Sequence, residues 1–143
     1  MKVTMLLADA AQAINGKLYI LGGGWSVTGP GPNVSAIALK IEVPWDEANR
    51  RHTLLLELLD ADGHKAMLPV AEGEVRAMEI KGDFEVGRPP GVTPGTPLDA
   101  ALAINLNPMP LESGRRYVWR LSIDGRSEDD WQVAFSTRPA SPS

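Results

Sequence analysis

The chain is 143 residues long, the length of one domain, and a domain of that size buries about 68–70% of its unfolded surface without needing a staple. Hydrophobic residues at 43% and charged residues at 22% are ordinary globular usage. A net charge of −4 without clustered lysine and arginine excludes a surface built for nucleic-acid phosphates. No cysteine occurs, so disulfides, thiol nucleophiles and thiolate metal sites are excluded.

The apolar run Val3–Ala8 ends at Asp9 and is shorter than the roughly 7–15 residues of a signal sequence. No stretch approaches the roughly 18 apolar residues of a membrane helix, so a cytoplasmic protein with no membrane partner is expected. Asn15-Gly16 then separates Thr4–Ile14 from Lys17–Trp25. Asn-Gly readily takes the positive φ angles of a type I′ turn, which predicts a hairpin. Leu7–Ala13 also has helical propensity, but pairing with Leu18, Tyr19, Ile20 and Leu21 favours a strand. Gly22-Gly23-Gly24 and Gly29-Pro30-Gly31-Pro32 predict a flexible exit. The first of these is no phosphate loop, because Trp25-Ser26-Val27-Thr28 follows where a Lys-Ser/Thr and a helix belong.

Ile37, Leu39, Ile41 and Val43 alternate with Ala36, Ala38, Lys40 and Glu42 until Pro44. Period two predicts a strand with the first set inward and the second outward. Trp45–Arg51 reads as a polar connection. Thr53–Leu59 reads as a strand running into the turn Asp60-Ala61-Asp62-Gly63, with His64–Val70 as the return arm. Arg76–Val86 alternates again, with Met78, Ile80, Phe84 and Val86 on one face. Gly87–Pro97 has no regular pattern and carries Pro89, Pro90, Pro94 and Pro97. Leu98, Ala100, Leu102, Ile104 and Leu106 line another strand. Tyr117, Trp119, Leu121 and Ile123, then Trp131, Val133 and Phe135 beyond Asp124-Gly125, predict a closing hairpin with one aromatic face.

Short strands with turn signals about every ten residues predict an all-β, mainly antiparallel sandwich of eight or nine strands, Ig-like or C2-like. One domain is expected over residues 1–138, followed by a frayed tail at 139–143.

Chemistry-bearing motifs are few. Asp60-Ala61-Asp62-Gly63 opens like a calcium loop, but Met67, Pro69 and Ala71 stand where later oxygen ligands belong. His52 and His64 have no partner at metal-ligand spacing and read as exposed turn residues. Trp119 and Trp131 fit the core, whereas Trp25 and Trp45 adjoin loops and are candidates to anchor a partner or stack on a sugar. Gly87–Pro97 is the leading candidate surface: its prolines favour a stiff, extended loop, and Arg88 offers a charged contact.

Ala8-Asp9-Ala10-Ala11-Gln12, Gly16–Trp25, Gly82–Gly91 and Arg116–Gly125 together resemble a family of short, uncharacterised bacterial proteins. The resemblance spans nearly the whole chain and implies no activity, cofactor or site residue. The Gly-Arg-Tyr opening of the last segment also resembles Ig-like strands, which is a likeness of fold only.

The expected function is a non-enzymatic binding or assembly module. Its partner-binding candidates are Trp25, Trp45, Arg88, Pro89, Pro90 and Pro94, facing a protein partner or a second copy. A carbohydrate- or calcium-dependent binder is the second reading. A hydrolase using Asp60, Asp62 or Glu128 is the third, because glycoside chemistry needs two carboxylates facing each other.

Overall fold

The computed structural model describes residues 1–140. Its strands in chain order are β1 (Lys2–Ala8), β2 (Ala10–Ile14), β3 (Lys17–Leu21), β4 (Val27–Thr28), β5 (Ser35–Val43), β6 (His52–Asp60), β7 (Met67–Ala71), β8 (Glu74–Ala77), β9 (Glu79–Phe84), β10 (Leu98–Leu106), β11 (Arg116–Ile123) and β12 (Gln132–Thr137). A single 3-10 turn, Trp45–Glu47, is the only helical element among the described residues. No helix there is long and apolar enough to cross a membrane. The chain is all-β.

One sheet has the order β1-β5-β10 and is antiparallel throughout. The other has the order β4-β12-β11-β6-β9, in which only the short β4–β12 pair is parallel. β2–β3 and β7–β8 form separate two-stranded ribbons. The two larger sheets bury a common core, because alternation turns one set of apolar side chains from each toward the other. Leu7, Ile37, Leu39, Ile41 and Val43 come from the first sheet. Leu54, Leu56, Leu58, Tyr117, Trp119, Leu121, Ile123 and Phe135 come from the second.

Twelve strands are present among the described residues where the sequence predicts eight or nine, and the surplus has local causes. The arm Thr4–Ile14 divides at Asp9, whose N–H donates to the Leu21 carbonyl (3.0 Å). β1 thus pairs with β5, and β2 turns away to pair with β3. Asn15 (φ 52°) and Gly16 (φ 74°) form the expected I′-type turn between them. Arg76–Val86 likewise divides at Met78, giving β8 to one ribbon and β9 to the β6 edge. The return arm after Asp60 pairs with β6 through a single bridge, between Leu59 and Lys65, before leaving to pair with β8.

Ala36 and Ala38 do not face solvent. They are buried with Ala8 and Ala11, with Leu18 and Ala103 packed against them. The β2–β3 ribbon lies over this half of the outer face, where small side chains leave room for a second layer. Asn105 on β10 locks it by accepting from the Ala11 N–H (3.2 Å) and donating to the Ala11 carbonyl (2.9 Å). The other half keeps the expected polar character, with ion pairs Lys2–Glu42 (3.8 Å) and Lys40–Asp99 (3.7 Å). Part of the expected tail, residues 141–143, lies outside the described residues.

Candidate functional site

Pro44 ends β5, and its carbonyl accepts the Glu47 N–H (2.9 Å), which winds Trp45–Glu47 into the 3-10 turn. This turn and the Gly87–Pro97 loop meet. The Arg88 guanidinium lies over the Trp45 ring, 4.4 Å from its centroid. Its Nε and Nη2 both donate to the Trp45 carbonyl (3.2 and 2.5 Å). Asn49, at φ 58°, donates its N–H to the Val86 carbonyl (2.8 Å) and ties the same two segments just upstream of Arg88. The cation bonds a carbonyl that otherwise accepts only the long Ala48 N–H bond (3.4 Å) and stacks on an aromatic face at once.

The loop is compact rather than extended. The Val92 N–H donates to the Pro89 carbonyl (3.3 Å), and the Thr96 N–H to the Thr93 carbonyl (3.1 Å). Gly91 (φ 86°) and Gly95 (φ 88°) hold the third position of each turn. Pro90-Gly91 and Pro94-Gly95 are thus consecutive turns with the type II pattern, in which proline presets φ and glycine takes the positive value. Pro89, Pro90 and Pro94 are exposed. Gly95 and Pro97 join Trp45, Pro44, Asp46, Glu42, Lys2 and Met1 around an open concavity of about 530 Å³. Trp45, Arg88 and the proline loop therefore occupy one end of the molecule.

Trp25 stands apart. It packs edge-on against Phe135 (5.9 Å, 87°), its Nε1 buried with no acceptor among the described residues. It lines a different concavity, with the glycine run Gly22–Gly24, Asn33 and Arg138.

A second constellation went unseen in the sequence. His52 is not an exposed turn residue: it is 1% accessible and stacks on Phe84 (5.3 Å, 27°). Its Nδ1 lies 2.7 Å from Asp124 Oδ2 and its Nε2 lies 2.8 Å from the Glu47 carbonyl. Asp124 Oδ1 accepts the Thr53 N–H (2.9 Å). Burial lowers the imidazole's proton affinity, but the Asp124 hydrogen bond, the Glu47 carbonyl and the Asp124 charge outweigh it, so the pKa stands above 6.5. The His52 hydrogen bond in turn holds the Asp124 carboxyl below 3.8. Both ring nitrogens are taken, so the pair has no free nitrogen with which to abstract a proton from a substrate. The one local signal was Asp124-Gly125 at φ 51° and 78°, which marks a turn but not its partner.

Asp60, Asp62 and His64 have ligand atoms within 4.8 Å of one another. Asp60 Oδ1 already accepts the N–H groups of Asp62 (2.9 Å) and His64 (3.0 Å), the bonding of an ordinary Asx turn. Asp60 and Asp62 line one concavity with Arg115, Arg116 and Tyr117. Glu128 lines another with Arg50, Arg51, Arg126 and Asp130. The three carboxylates named for hydrolysis are not gathered in one concavity.

The fold and this end define an all-β domain that carries a cation–aromatic contact beside two proline-glycine turns. Residues 3–135 match the model of a family of unknown function, DUF6941. The chain belongs to that family, and the match takes in Trp25, Trp45, Arg88 and the whole proline loop. No curated protein and no solved structure matches it.

Proposed function

We propose that this chain is a non-enzymatic binding module that presents its Trp45–Arg88 end and the Gly87–Pro97 loop to a protein partner. The observation that carries this reading is the seating of Arg88 over Trp45 with both donors on the Trp45 carbonyl. Trp and Arg are the side chains most enriched where binding energy concentrates. Here they are held in place beforehand, next to two turns whose prolines reduce the entropy lost on docking.

We read the two sheets as layers of an Ig-like or C2-like sandwich. The common core supports this, as does Tyr117. Its hydroxyl accepts the Glu112 N–H (3.0 Å), as a tyrosine at a sandwich corner bonds back to the chain just upstream. A bacterial, cytoplasmic setting is part of the same reading, supported by the family resemblance and the cysteine-free composition.

The test places a photoreactive amino acid at Thr93, the first residue of the second turn, and identifies what it captures in cells. The captured protein, purified, is then titrated against wild type, Trp45→Ala and Arg88→Ala. A dissociation constant at least about tenfold weaker in each variant, or about 1.4 kcal/mol, is expected. Equal binding by all three would remove this end as the docking surface.

A further inference from the structure

We infer that His52 is a proton-operated latch, which as an imidazolium ties the Trp45–Glu47 turn to the β11–β12 turn and on losing its proton releases the Glu47 side. Two acceptors face the ring. Nδ1 meets a carboxylate at 2.7 Å and Nε2 meets a backbone carbonyl at 2.8 Å. Neither partner has a proton to donate, so both ring nitrogens must carry one for both bonds to exist. A neutral imidazole would set one nitrogen lone pair against an acceptor oxygen, in a ring only 1% accessible, where no water replaces the lost bond.

The two sides are unequal. Asp124 is charged and therefore the stronger acceptor, so the neutral ring keeps its proton on Nδ1 and Nε2 turns repulsive toward Glu47. That carbonyl belongs to the single turn that begins at Trp45. What else holds this turn is the Glu47 N–H on the Pro44 carbonyl at 2.9 Å, the Ala48 N–H on the Trp45 carbonyl at 3.4 Å, the Arg50–Glu47 ion pair at 3.4 Å, Asn49 to Val86 at 2.8 Å and Arg88 on the Trp45 carbonyl, and none of these engages the Glu47 carbonyl. Displacing Glu47 shifts the carbonyl and ring on which Arg88 sits. Deprotonation thus loosens the Trp45–Arg88 contact from beneath.

Every element around the ring bears charge. The 3-10 turn brings Glu47, and the connection after it brings Arg50, which lowers the imidazole's proton affinity. Arg51 pairs with Asp83 of β9 (3.7 Å). The β11–β12 connection brings Asp124, Arg126, Glu128 and Asp130, and the N-terminal residues Met1 and Lys2 line the same concavity. Among these charged side chains only that of Asp124 bonds the ring, and it adds to the Glu47 carbonyl in raising the imidazole's proton affinity.

The latch stands on its own geometry; its consequence for binding rests on the reading given above. Long-range proton–nitrogen spectra of the imidazoles test it on the full chain across about pH 5 to 8 and beyond. Both His52 nitrogens are expected to be protonated below a midpoint that stands above 6.5. The Trp45 indole and Asn49 amide signals are expected to move with that same midpoint. Asp124→Asn keeps the backbone, since Asn suits the φ of 51°. It is expected to lower the His52 midpoint and to shift the Trp45 transition with it. A His52 midpoint at or below 6.5, or Trp45 and Asn49 signals that stay flat through the midpoint, would overturn the latch. These spectra contain no partner, so a failed docking reading leaves their outcome unchanged.

Discussion

His52 and Asp124 carry a pH dependence whose sign follows from their bonds. The His52 pKa is raised from 6.5, so its contribution is complete below that value and disappears as pH rises through the folded midpoint. The Asp124 pKa is lowered from 3.8, so its contribution is complete above that value and disappears as pH falls through the folded midpoint. For this pair stability is greatest between 3.8 and 6.5, discounted because the Asp124 side chain is 46% exposed and screened. Thermal melts at successive pH values are expected to show Tm falling on the alkaline side in the wild type and more weakly in Asp124→Asn; parallel curves for the two proteins would refute the assignment. Arg88→Ala removes an exposed cation–aromatic contact and is expected to cost about 0.5–1 kcal/mol in urea unfolding. Arg88→Lys should not restore it fully, because an ammonium lacks the planar fork that both stacks and donates twice.

At the scale of elements, the β2–β3 ribbon shows how much a few small side chains decide. Its inner face rests on Ala36 and Ala38 while Tyr19 and Leu21 remain 54% and 71% exposed. Ala38→Leu forces added volume under the ribbon and is expected to cost about 1–3 kcal/mol by denaturant unfolding. Asn105→Ala strands both backbone groups of Ala11 and is expected to cost a similar amount, about 1–3 kcal/mol. It should also speed amide exchange at Ala11 well before the core strands open, and unchanged exchange there would mean Asn105 does not hold the ribbon. The Pro90-Gly91 and Pro94-Gly95 turns follow the same economy of local rules. Gly91→Ala puts a side chain at φ 86°, so it is expected to loosen the loop while leaving the sheets intact.

Across the whole molecule one core joins the two larger sheets, and Trp119 is among its largest fully buried side chains. Trp119→Ala is expected to cost about 3–5 kcal/mol and to lower the single unfolding transition seen by fluorescence and far-UV signal alike; separate transitions would mean the sheets unfold independently. Much of this architecture was legible in the chain, for a reason of range. Alternation at i and i+2 marked β5, β10 and β11, and Asn15-Gly16 declared its turn, because those signals depend only on neighbouring residues. The β class and the apolar core therefore followed from sequence by itself. The tertiary structure decided the rest. Arg88 reaches Trp45 across 43 positions and His52 reaches Asp124 across 72, and no local period encodes such pairings. Ala36 and Ala38 read as outward because alternation names two faces without saying which will be covered. Coverage, like the proton on His52, is set by what distant strands bring to the same place.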